Sequence, residues 1–414
     1  MKCDVAIIGG GPAGSTAATI LAMHGRRVVV LEKDRFPRFH IGESLLPRSM
    51  RVLERIGVLK NIESAGFVKK FGAEIVSGCG EKSSRFYFKD GFRSTGDHAF
   101  QVERAEFDKL LLDRARESGA EVREGTEVTG VSFTDSEARV ETADGVVEAD
   151  YVLDCSGRST LLASYFEVKE PYPGLNKFAI YAHYENVDRA EGVDGTLTRM
   201  IRAKDRWFWM IPLGPTKMSV GVVMDTSAFR ELRTTPDKVL NDSIEMLPVM
   251  RDRMSRSERV TPVHTCGDYS YRNSVLHGRR WLLAGDAAGF IDPVFSSGIF
   301  LGMLGAEQAA DAIHAALERP ARALPLFDRY QRRMQKVMKI YLTFVRGWYR
   351  QEFIETVLNP QNILQIVPAV NAVLAGNVGT SFALTWRLAL FRAIVRAQRH
   401  FPLCPPLSLK PESA

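Results

Sequence analysis

Gly9, Gly11 and Gly14, with Gly10 and Ala13 between them, follow the apolar run "VAII" (5–8) and open the helical stretch "STAATILAM". Glycines in that order let the backbone come close to a pyrophosphate, and the start of a helix offers it free amides and partial positive charge. A second apolar strand over 28–31 ends on Glu32, the acidic residue that such a unit sets against a ribose hydroxyl. Strand, turn, helix, strand and acid together point to dinucleotide binding; a bare glycine-rich turn would need only the glycines. No second fingerprint follows, so no separate nicotinamide domain is expected. Elsewhere "RWFWMIP" (206–212) places two of the five tryptophans within three residues. Strand alternation accounts for one large aromatic there; a pair reads either as sheet core or as a wall around something reactive.

The elements that must hold these residues suit a soluble enzyme of 414 residues with 45% apolar content. The net charge of +6 is compatible with an anionic cofactor or surface, and no nucleic-acid partner is expected. Five scattered cysteines without a CxxC pair argue against a disulfide framework and against a zinc site, so no metal is expected. The chain enters its first strand at Asp4 without a cationic leader and apolar run, which predicts a cytoplasmic location. The uncharged stretch 358–386 is too often interrupted by Asn, Gln, Pro and Gly to span a bilayer. Strands over 177–187, 195–204, 206–213 and 217–224, separated by Gly, Pro and Asp turns, predict an antiparallel platform. A helical stretch follows over 236–257, and from 300 onward the chain reads as helix with breaks near Asn359-Pro360 and Gly376-Asn377.

Three further segments resemble the glutathione-reductase-type FAD family, in family order. "GRRWLLAGDAAGFIDP" resembles its second flavin motif, in which Asp286 would hold the ribityl chain; "QVERAEFDKLLLDRA" places Arg104 near the cofactor; "ADYVLDCSGRST" resembles the segment around Asp154 and Gly157, where Asp154 is equally well explained as a strand-end turn. The resemblance implies FAD and an α/β fold: a discontinuous Rossmann-like domain over 1–75, 97–165 and 268–330, an inserted antiparallel sheet for the substrate over 76–96 and 166–267, and a helical C-terminal region over 331–414.

More specific motifs resemble the flavin-dependent halogenases across about residues 1–310. Trp207-x-Trp209-x-Ile211-Pro212 matches their W-x-W-x-I-P pattern, and Phe290, Pro293, Ser296 and Gly298 match F-x-x-P-x-x-S-x-G. Phe67-x-x-Lys70-x-Gly72-Ala73 resembles the segment carrying their catalytic lysine, a spacing that favours Lys70 over its neighbour Lys69. "FPRFHIGESLLP" (36–47) resembles a flavin-contacting segment, which makes Glu43 and Ser44 cofactor contacts, with a helix N-cap as the alternative for Ser44. The resemblance implies that reduced FAD, supplied by a separate flavin reductase, combines with oxygen and chloride or bromide to give hypohalous acid, which travels to the lysine beside an aromatic substrate. Ser297 and Gly298, at a helix start, would bind halide; Ile299 would touch the cofactor; Trp207, Trp209 and Phe295 would wall the substrate off.

Tryptophan halogenases carry a glutamate where this chain has Phe295, and they are longer. A phenol or pyrrole, free or tethered to a carrier protein, is the substrate class expected instead. The competing flavoenzyme readings are a geranylgeranyl-reductase-like enzyme, whose later loop has Gly-Glu-Gly in place of Ser296-Ser297-Gly298, and an aromatic hydroxylase, for which a double-indole wall would be counterproductive. A flavin-free escort-type binding module is disfavoured by the intact glycines and Asp286. In the segment 381–401, Arg392, Arg396 and Arg399 wind onto one narrow sector, with Leu384, Leu388, Phe391, Ile394 and Val395 across much of the remainder and Arg387 off the basic sector, giving two expectations: peripheral contact with an anionic membrane, or packing of the apolar face onto the FAD domain.

Overall fold

The computed structural model describes residues 1–94, 96–267, 270–379 and 381–409; the domain boundary expected at 268 and the last residues of the expected C-terminal region, 410–414, lie outside them. The nucleotide half is built on a sheet whose central strands are parallel. Lys2–Ile8 lies between Val28–Glu32 and Gly145–Asp154; Glu121–Glu124 extends the sheet on one side and Trp281–Leu283 on the other. Val28–Glu32 is buried along its whole length, as a strand covered on both faces must be, and its four leading apolar residues leave no alternation to read. Register aligns Ile8 with Leu31 and Asp154, and Asp154 with Leu283. The loops that leave this common edge carry Gly9 to Gly14, Cys155 to Gly157, and Gly285-Asp286, so the topology alone brings three distant segments to one ligand edge.

A second, eight-stranded sheet forms the platform, with the order Glu258–Arg259, Lys177–Glu185, Met218–Asp225, Arg206–Pro212, Thr198–Arg202, Gly72–Ser77, Ser83–Tyr87, and His264–Gly267 also pairing with Lys177–Glu185. It is antiparallel apart from one pairing: Thr198–Arg202 runs parallel to Gly72–Ser77. Those two strands are far apart in sequence, so no hairpin constrains their direction. Alternation along Arg206–Pro212 resolves the aromatic cluster: Trp207, Trp209 and Ile211 join the core shared with the nucleotide half, whereas Phe208 and Met210 join a separate core. That second core is completed by Val239, Leu240, Ile244 and Met250 from two helices, Pro236–Met246 and Pro248–Met254. The expected single helix over 236–257 is split because Leu247 precedes a proline and takes an extended conformation, φ −106 and ψ 114.

Helix Gly298–Glu318 packs against Pro12–Met23, and the 26-residue helix Ala323–Trp348 lies along it. The chain then folds back through Gln351–Leu358, Ile366–Leu374 and Phe382–Gln398. In the last helix Phe391 stacks on Phe344 (centroids 6.0 Å apart) and meets Phe353 edge-on (5.7 Å), while Arg392, Arg396 and Arg399 are exposed. Among the described residues no helix is long and apolar enough to cross a membrane.

Candidate active site

Gly9 has φ +98, and a Cβ there would lie 2.4 Å from the Cys155 carbonyl oxygen; a Cβ on Gly14 would lie 1.8 Å from the Gly9 carbonyl oxygen. Both positions demand glycine, one through backbone conformation and close approach, the other through contact of helix and strand. Glu32, 5% exposed, accepts from the Gly10 amide at 2.6 Å and from the Asp34 amide at 2.8 Å, which holds its carboxylate at the end of its strand with lone pairs left for a ribose. A cavity of about 410 Å³ opens in front of this turn; Gly11, Ala13, Arg104, Asp286, Gly298 and Ile299 are among the residues that line it. Arg104 is clamped through Nε and Nη2 to Asp108 (2.7 and 2.8 Å) and donates through Nη1 to the Ile41 carbonyl at 2.6 Å. Burial pushes the Asp286 carboxyl up to about 6 against the opposing pull of Arg104 and Arg158. The Asp154 carboxylate is consumed by the amides of Ser156 and Leu162, both at 2.8 Å, so it closes the turn after its strand. A glycine-lined approach, a helix N-terminus, a carboxylate held at the strand end and a cavity in front of the turn fit a flavin dinucleotide.

Ser44 and Thr198 also line the cavity, their hydroxyls 3.1 Å apart. Lys70 lies one hydrogen bond behind them: its Nζ donates to Ser44 Oγ at 2.7 Å and to the Leu45 carbonyl at 3.2 Å, and sits 5.4 Å from the centre of the Phe88 ring. The side chain is 1% exposed with no carboxylate against it among the described residues, and burial lowers its pKa from 10.5 to about 7. Lys69, one step along the strand Val68–Lys70, is exposed. Gln101 Nε2 donates to Thr198 Oγ1 at 2.8 Å and so fixes the hydroxyl pair. Ser44 is not a helix cap: the helix Pro47–Arg55 is entered from Leu46. Glu43 gives one oxygen to His183 Nε2 at 2.6 Å; the other is buried without a hydrogen-bond partner, on a residue that lines the cavity.

Trp207 and Trp209 also line the cavity, their rings 6.0 Å apart and inclined by 50°. Each indole N–H is anchored, Trp209 to Ser219 Oγ at 3.1 Å and Trp207 to Tyr349 Oη at 3.0 Å; Tyr349 in turn donates to Asp292 Oδ2 at 2.5 Å. Burial raises the Asp292 carboxyl to about 6, with the Tyr349 hydrogen bond pulling the other way. Trp348 meets Trp207 edge-on at 6.0 Å and Phe295 edge-on at 5.9 Å, so an aromatic box packs against the Trp207 indole. Ser296 (φ +56) turns the chain into helix Gly298–Glu318; Ser296 and Gly298 line the cavity, whereas Ser297 is buried with its hydroxyl unpartnered. Nothing in the sequence marks Thr198, Gln101, His183, Tyr349 or Trp348 as parts of this constellation, and the one signal for Asp292 is its place inside the F-x-x-P motif.

Residues 2–345 match the family model described as an FAD binding domain. The chain is 33% identical over 393 residues to the 1H-pyrrole-2-carbonyl peptidyl-carrier protein chlorinase of Pseudomonas fluorescens, covering 88% of each protein. It is 32% identical to the tryptophan 2-halogenase of Chondromyces crocatus over 83% of this chain and 67% of that one. A solved flavin-dependent brominase superposes with a TM-score of 0.86 at 26% identity, over 97% of this chain and 100% of that structure.

Proposed function

The chain belongs to the flavin-dependent halogenases, and from that premise we propose that it halogenates a pyrrole-type ring presented as a thioester on a carrier protein, with Lys70 as the group that delivers the halogen. The bound flavin, once reduced, supplies the oxygen activation that turns chloride or bromide into hypohalous acid. The observation that carries the assignment is the state of Lys70: wholly buried, without a counter-ion among the described residues, and one hydrogen bond from a hydroxyl that lines the cavity.

A pKa near 7 leaves a substantial share of neutral amine at working pH. The amine attacks the halogen of hypohalous acid; an N–halogen bond forms, the O–halogen bond breaks, and water leaves with the amine proton. The ring carbon then takes the halogen, the N–halogen bond breaks, and the ring proton restores the amine. Ser44 orients the lysine, and the Ser44–Thr198 hydroxyl pair forms the relay point between cavity and amine. Amides at the start of helix Gly298–Glu318 provide the halide site, since the first turn has free N–H groups and a positive dipole end. Trp207 and Trp209, held rigid by their N–H bonds, keep the ring away from the oxygen chemistry. Phe295 offers no carboxylate to steady a cationic ring intermediate, so the substrate must be electron-rich enough to react without one.

Only one dinucleotide fingerprint is present, so reduced flavin would come from a separate reductase. Incubation with reduced FAD, oxygen, bromide or chloride, and either pyrrole-2-carbonyl carrier protein or free phenols, read by isotope pattern in mass spectrometry, tests the proposal. Halogen on the tethered pyrrole is the expected result; halogen on free phenols alone removes the carrier. Rapid reduction of bound FAD by NADPH without a second protein would remove the reductase. Contact of 381–401 with a membrane stands as the lesser proposal beside packing of the same helix, which already uses Phe391 and Leu384 internally.

A further inference from the structure

A groove of about 960 Å³ runs between helices Ala323–Trp348 and Phe382–Gln398, and none of its lining residues lines the flavin cavity. Lys339, Arg346, Arg350, Arg392 and Arg396 all line it and all are exposed. None of the five forms an ion pair among the described residues; Arg392 donates only to the Leu388 carbonyl. One carboxylate lines the groove, Glu170, and Arg272 already holds it at 2.7 Å. Helix Phe382–Gln398 contains no acidic residue at all. Beneath the cations the floor is apolar and recessed, with Phe344, Phe353 and Phe391 buried.

We infer that this groove docks the carrier protein, its cations taking the phosphodiester of the phosphopantetheine arm and the acidic face around the serine that bears it. The inference rests on the carrier-bound substrate proposed above. Two further features support it. The floor adjoins the aromatic box: Phe344 meets Phe295 edge-on at 6.2 Å, and Phe295 meets Trp348, which meets Trp207. Groove floor and cavity wall are thus joined by one continuous layer of packed rings. Inside the groove the apolar rings are buried while the cations are exposed, the reverse of a membrane-inserting face; the protruding Phe382 and Phe401 lie outside its lining. An anion on a narrow stalk fits cations at the rim over a greasy floor.

The test uses the full chain and, as probe, pyrrole-2-carbonyl-loaded peptidyl-carrier protein of the Pseudomonas fluorescens reaction, fluorescently labelled. A groove variant, Lys339→Glu/Arg346→Glu/Arg396→Glu, is compared with Lys60→Glu/Arg230→Glu/Arg251→Glu, the same charge change on exposed residues elsewhere. The wild type should bind with an affinity that falls as salt rises, the groove variant about tenfold or more weaker, and the control within about twofold of wild type. FAD content, thermal unfolding and halogenation of an untethered pyrrole-2-carbonyl thioester should be unchanged in both. Equal losses in the two variants, undiminished binding by the groove variant, or no binding by the wild type overturns docking here. So does groove-dependent binding to phosphatidylserine vesicles without carrier binding, which would make the occupant a membrane. Failure of the substrate proposal shows separately, as absence of halogen on both tethered and untethered pyrrole whatever the binding data say.

Discussion

Replacing Lys70 with methionine should stabilise the protein, and most strongly at low pH. The lysine is 1% exposed and faces no carboxylate among the described residues, and burial lowers its pKa from 10.5 to about 7. At about 1.36 kcal/mol per pH unit of pKa, holding the charged form inside the fold costs roughly 5 kcal/mol. Below about pH 7 both folded and unfolded lysines are protonated, and the cost applies in full. Between about 7 and 10.5 the unfolded chain binds a proton that the folded chain does not, so wild-type stability rises with pH and the cost shrinks by about 1.4 kcal/mol per pH unit. Methionine carries no such term. It does forfeit the hydrogen bonds to Ser44 and Leu45, worth about 1 kcal/mol each, which lowers the advantage by the same amount at every pH. Urea unfolding of both proteins from about pH 6 to 9 should therefore show the advantage of Lys70→Met falling by roughly 3 kcal/mol across the range. Parallel stability profiles would refute the burial argument, because a lysine that stays charged in the fold at pH 9 contributes no slope.

Gly14→Ala should lose bound FAD and its flavin absorbance, since its Cβ would lie 1.8 Å from the Gly9 carbonyl oxygen and strand and helix must separate. Gly221→Ala should cost about 1–3 kcal/mol in thermal unfolding and shift tryptophan fluorescence, because its Cβ would lie 2.3 Å from the Trp209 ring. Tyr349→Phe takes one partner each from Trp207 Nε1 and Asp292 Oδ2 and should cost about 1–3 kcal/mol. The loss should be larger at pH 7 than at pH 5: with a pKa raised to about 6, the carboxyl is largely neutral at the lower pH, and a neutral acid suffers less from losing its donor. Equal losses at the two pH values in urea unfolding would mean that Asp292 does not titrate there.

The glycine cradle was readable because its meaning is local: turn, helix start and ribose acid follow one another within 32 residues. Alternation likewise told that Trp207 and Trp209 share a face, though which face looked toward the nucleotide waited on the partners of the strand. Period two puts Lys69 and Lys70 on opposite sides but does not say which is inside; resemblance chose Lys70, and the fold buries it while exposing Lys69. What the sequence hid is non-local. Ser44 and Thr198 are 154 positions apart, and Trp207 and Tyr349 are 142 apart, so neither pairing leaves a pattern in its own neighbourhood. Tyr349 and Trp348 also lie in the C-terminal region, where the family motifs fade. The boundary expected at 75 falls inside the strand Gly72–Ser77, whose sheet membership is decided by Thr198–Arg202 much later in the chain.

The central claim is that halogen passes through Lys70 after the oxygen chemistry is complete. Lys70→Ala, Lys69→Ala and wild type, each loaded with FAD and given the same reduced flavin, oxygen and bromide, are compared for flavin oxidation, trapped hypobromite and brominated pyrrole. Lys70→Ala should oxidise flavin at the wild-type rate and release the hypobromite it forms, with about a hundredfold or greater loss of brominated product, while Lys69→Ala matches wild type throughout. Full product formation by Lys70→Ala, or loss of product in Lys69→Ala instead, would contradict it.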